Sequence, residues 1–169
     1  MPLIPGDAEF KQQEKSLRPE DALLIAGDML VRCESLTAVH LNKNKLGPTG
    51  AKALASVLRD CYNLSSLELA SNQMGDEGIK AIAEGAMHGE SIVQLDLSSN
   101  AGGRVAAEAL GALLAACGEL RSLVVSSNLF GDDGFKMLCA PAEAGLDCRC
   151  PLATACNVHH CCSEQRVRK

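Results

Sequence analysis

Cysteine and histidine crowd the C-terminal end of this chain, where Cys148, Cys150, Cys156, His159, His160, Cys161 and Cys162 fall close together. Thiolates and imidazoles are zinc ligands, and Cys148, Cys150 and Cys156 with His159 or His160 could close around one ion. The Cys-x-x-Cys knuckles that would make this signal specific are absent, so a redox-sensitive segment and an inert chain end stay open beside the metal site. A second group is spread along the chain: His40, Glu68 and Asp96, followed by Val124, recur at a fixed interval of 28 residues. Spaced so regularly, they can line one surface and meet a basic partner, or form an ordinary solvated face. Asp132-Asp133-Gly134 has the composition of a calcium loop, but it falls where a helix should start. The sequence holds no Gly-x-x-x-x-Gly-Lys loop, no His-Glu-x-x-His and no Gly-x-Ser-x-Gly elbow. No catalytic residue and no cofactor is expected.

The composition narrows the classes of partner. With 47% apolar and 22% charged residues in 169, the chain can bury a core and is not intrinsically disordered. No apolar run approaches the roughly 18–20 residues of a membrane span. A net charge of −5, no Trp and a single Tyr argue against nucleic acid, which needs clustered cations and stacking platforms. The first residues, Met1 to Asp7, lack a basic region and a long apolar stretch, so the cytoplasm is the expected compartment. There the nine cysteines are expected to be thiols.

The elements that must position these residues emerge from a repeat. Units beginning at Leu36, Leu64, Ile92 and Leu120 align without a gap. The second apolar column is Val39, Leu67, Leu95, Leu123, and the third is Leu41, Leu69, Leu97, Val125. An unbroken column of Asn44, Asn72, Asn100 and Asn128 follows, then Gly47, Gly75, Gly103 and Gly131. The second half of each unit has apolar or small residues at helical spacing, such as Ala51, Leu54, Ala55, Leu58 and Ile79, Ile82, Ala83, Ala86. Asp76 and Glu77, like Asp132 and Asp133, occupy the expected first turn of their helix. Cys33, Cys61 and Cys117 share one column at the helix ends and read as packing residues.

The pattern resembles the leucine-rich repeat, and the 28-residue unit with Leu-Gly-x-x-Gly between strand and helix resembles its ribonuclease-inhibitor-like class. The resemblance implies an α/β solenoid: a parallel strand ladder inside, helices outside, and an Asn ladder bonding to backbone groups in each turn. The units run 36–63, 64–91, 92–119 and 120–147. Residues 19–35 are expected as an N-terminal half-unit with Leu23, Ala26, Gly27 and Leu30 on the core face. Residues 148–158 are expected as a degenerate terminal unit, with 1–18 a flexible tail and 159–169 a Cys/His-rich, basic tail. The resemblance further implies a non-catalytic, monomeric module that binds another protein through His40, Glu68, Asp96, Val124 and Gln94 on the concave face. His40 and His88 are otherwise expected as plain surface residues. Small-GTPase regulation, as in Ran GTPase-activating proteins, and a tropomodulin-like contact with actin are the alternatives within the family.

Overall fold

The computed structural model of the chain describes residues 8–89 and 91–143. Strand and helix alternate throughout: β1 (Glu9–Lys11), α1 (Pro19–Arg32), β2 (Ala38–His40), α2 (Gly47–Leu58), β3 (Ser66–Glu68), α3 (Gly75–Gly89), β4 (Gln94–Asp96), α4 (Arg104–Ala116), β5 (Ser122–Val124) and α5 (Gly131–Glu143). The five strands form one parallel sheet in sequence order. Each helix packs on the next, and each strand pairs with the next, so the described chain is an α/β solenoid built by translation of one unit, as expected from the sequence.

A three-residue strand and a helix of about four turns bury little alone; stacking gives them a shared interior. Val39, Leu67 and Leu95 face one another across the ladder and are buried, with Leu123 half-buried on the last described strand. Leu41, Leu69, Leu97 and Val125 form the second buried row. The helices close over these rows with Leu54, Ile82, Leu110 and Leu138, and one cluster runs from Phe10 to Leu138.

The Asn column lies beneath the turns. Nδ2 of Asn100 donates to the carbonyls of Leu97, Ser98 and, one unit back, Leu69. Its Oδ1 accepts from the amides of Asn72 and Met74 at 2.9 and 3.4 Å. Asn44 and Asn128 likewise accept two amides each. Asn72 Oδ1, though buried, has no partner. The residue before each Asn (Lys43, Ser71, Ser99, Ser127) has φ between 55° and 58°, the left-handed twist that swings the Asn side chain inward.

The N-terminal unit departs from the sequence frame. β2 to β5 pair at intervals of 28 residues, but Phe10 pairs with Val39, an interval of 29. Residues 9–17 therefore belong to the solenoid and not to a flexible tail: Phe10 is buried, and the amides of Lys15 and Leu17 bind Asn44 Oδ1. The extra residue also turns α1. Its buried side is Ala22, Ile25, Ala26 and Met29, so of the four residues expected on the core face only Ala26 is buried, whereas Leu23, Gly27 and Leu30 are exposed.

The third turn is irregular as well. Gly102 stands where Leu46, Met74 and Phe130 are buried in the other units, and the space of its missing side chain is filled by Ile79 Cδ1 and the Phe130 ring. The start of α4 is then capped from the neighbouring unit: Asp76 Oδ1 accepts from the amides of Gly103 and Ala106 at 2.6 and 3.0 Å.

Candidate functional site

Strand register places Lys11, His40, Glu68, Asp96 and Val124 side by side across the concave sheet. They alternate with the buried row because successive strand residues point to opposite faces. Neighbouring strands lie ~4.8 Å apart, so the column is a strip about 20 Å long. Its charge changes along that length, from cationic Lys11 through His40 to two carboxylates, and ends on Val124, 41% exposed.

Internal hydrogen bonds fix the central side chains. Glu68 Oε2 lies 2.9 Å from His40 Nδ1 and accepts from Asn42 Nδ2 at 2.7 Å. A carboxylate only accepts, so Nδ1 is the ring nitrogen that carries the proton. Asn42 is itself held by the Ala70 amide on its Oδ1. Asp96 Oδ1 accepts from the amide and the hydroxyl of Ser98 at 2.9 and 2.7 Å. At the basic end Lys11 bonds Glu9 at 2.5 Å, and that hydrogen bond, Glu9's charge and, more weakly, Glu68's hold the ammonium above its ordinary pKa. The same bond and Lys11's charge hold Glu9 below the carboxylate norm.

His40 is therefore not a plain surface residue: its side chain is only 16% exposed and orients Glu68. Gln94 lies exposed on the neighbouring concave column, beside Ser66 and Ser122. Lys11 and Asn42 are the site residues that sequence reasoning missed. Lys11 was hidden by the 29-residue first interval, and nothing in the sequence marks Asn42 as a partner of Glu68.

Away from this strip, the α2–α3 surface has a shallow groove of about 290 Å³ bordered by Lys52, Arg59, Glu84 and His88, with Lys52 engaged by Glu77. Among the described residues no three His, Cys, Asp or Glu side chains are grouped to hold a metal ion. Cys148, Cys150, Cys156 and His159, with the terminal unit and tail expected around them, lie outside the described residues. No described helix is long and apolar enough to cross a membrane.

The fold and the inward Asn ladder define a repeat protein, and comparison with family models names the repeat. The model described as Leucine Rich repeat matches residues 32–55, 61–83 and 120–139. The chain thus carries leucine-rich repeats. The unit starting at Ile92, with its irregular Gly102 turn, lies outside those three matches. No curated protein matches the chain.

Proposed function

We propose that the chain is a non-catalytic interaction module, of the ribonuclease-inhibitor-like class, that binds another protein through the concave strip and its bordering loops. Leucine-rich repeats generally mediate contacts between proteins. One observation carries the assignment to this face: Glu68 and Asp96 are pre-positioned by His40, Asn42 and Ser98. Ordering a carboxylate before it meets its partner lowers the entropy cost of binding. The strip suits a partner that sets basic side chains against Glu68 and Asp96 and an apolar one on Val124. It supports at most a standard-sized interface, about 800 Å² per side, so contacts are reversible and charge-dependent. We read the module as cytoplasmic. Affinity capture with the wild type and with Glu68→Lys/Asp96→Lys tests the face. Partners retained by a folded double variant would move the site elsewhere.

A further inference from the structure

The one-residue shift that turns α1 leaves an apolar stripe on its outside. Leu23, Leu24, Leu30 and Val31 are 59, 74, 45 and 87% exposed. Gly27 sits in the middle of them. A Cβ built there would meet nothing within 4 Å. The other glycines past the first residue of the described helices are explained by what they touch: added carbons at Gly85, Gly89 and Gly111 would fall 2.7–2.8 Å from carbonyl oxygens of the adjacent helix, and those at Gly50, Gly78 and Gly134 would crowd the Cβ atoms of Leu46, Met74 and Phe130 and of Ala22, Ala51 and Ala107 on the adjacent helix. In this fold a mid-helix glycine marks a close helix–helix approach. Gly27 has the residue type without the neighbour, and its φ is not positive. A glycine there weakens the helix and serves no turn.

The stripe has a symmetry that selects its partner. Counted from Gly27, the apolar residues lie at −4, −3, +3 and +4, all on one helix face. With a two-fold axis at Gly27, positions −4 and −3 of one copy meet +4 and +3 of the other, so every pairing sets an apolar side chain on an apolar one. We propose that two copies of this chain pair through α1, antiparallel and crossing at Gly27, with Leu23 and Leu24 of one on Leu30 and Val31 of the other. Antiparallel packing also opposes the two helix dipoles favourably. The four residues can bury at most roughly 450 Å² per copy, about 900 Å² for the pair, which is below a standard specific interface and in the range of weak, reversible pairing. A dimer departs from the monomer expected from sequence, which counted Leu23 and Leu30 as core.

Sedimentation equilibrium of the full chain from about 10 μM to about 0.5 mM tests this. The wild type should show a concentration-dependent monomer–dimer equilibrium. Gly27→Gln should weaken it by about tenfold or more by keeping the helices apart. Because Gln is the better helix former and the site is open, that variant should melt no lower than the wild type, which separates lost pairing from lost folding. Leu24→Glu/Val31→Glu should be monomeric throughout. A wild type that stays monomeric at the highest concentration would overturn the proposal and assign the stripe to residues 1–7 or to a different protein. A dimer that survives both variants would overturn it too.

Discussion

Asn100→Ala and Asn72→Ala remove the same side chain from adjacent units, yet they should differ in cost. At either position the carbonyls on Nδ2 keep a second donor. Leu69 O is shared by Asn72 and Asn100, Leu97 O by Asn100 and Asn128, and Ser98 O also accepts from the Ser71 amide. Leu41 O, bound by Asn72, is also bound by Asn44, and Ala70 O also accepts from the Lys43 amide. The difference lies in the amides. Truncating Asn100 strands the buried N–H of Asn72, bound at 2.9 Å, and also removes the longer contact of Met74, at 3.4 Å. Truncating Asn72 strands none, because its Oδ1 has no donor. A stranded buried amide costs about 1–3 kcal/mol beyond the ~1 kcal/mol net value of the lost bonds. Asn100→Ala should thus cost ~3 kcal/mol, Asn72→Ala ~1–1.5 kcal/mol, and exposed Gln73→Ala close to nothing. In urea, with a slope of about 2 kcal/mol/M, the two ladder variants should differ by about 1 M in midpoint at unchanged slope. Equal midpoints, or a costlier Asn72→Ala, would refute the account of which groups the ladder satisfies.

Phe10→Ala should lower stability by about 3–4 kcal/mol in the same assay, because Phe10 is buried under the N-terminal unit; a neutral outcome would return residues 9–17 to a tail. Gly85→Ala should cost ~1–3 kcal/mol, since its Cβ would stand 2.7 Å from the Ala55 carbonyl and only separation of α2 and α3 relieves it. Burial, with smaller contributions from Cys33 and Asp60, pushes the Cys61 thiol up to about 11. At pH 8 its thiolate is then about one part in 1,000, and iodoacetamide labelling read by mass spectrometry should be roughly a hundredfold slower in the native than in the urea-unfolded chain. Because the folded pKa is the higher one, this thiol's stabilising contribution is complete below pH ~9 and fades as pH rises towards 11.

Where each residue of a unit has a single backbone role, the sequence is easy to read. Leu67, Leu69 and Asn72 can stand only in the ladder that the strand spacing defines, so β2 to β5 and their helices follow from the columns. The first unit was opaque because one added residue flips strand faces and rotates a helix by about 100°. Gln12 and Lys15 replace the Leu and Asn that would have marked the frame, leaving only Phe10 and Leu17 as apolar clues. Asp76 was legible as helix-start chemistry, but the helix it caps through Gly103 and Ala106 is the next one, because the solenoid brings consecutive helix starts together. The concave column was visible as positions, since alternation fixes which residues face out. Its bonding was not, because whether His40 reaches Glu68 depends on rotamers set by Asn42 and Ala70 across the strands.

The claim that the concave strip is the recognition surface is tested most directly by crosslinking from it. A photoreactive benzoylphenylalanine placed at Gln94, exposed beside Asp96, is compared with one at Lys80, exposed on α3. After illumination in lysate, the strip position should give discrete protein adducts that vanish when Glu68→Lys/Asp96→Lys is added, while the helix position gives none. Adducts from Lys80 alone, or Gln94 adducts indifferent to the charge reversal, would contradict it.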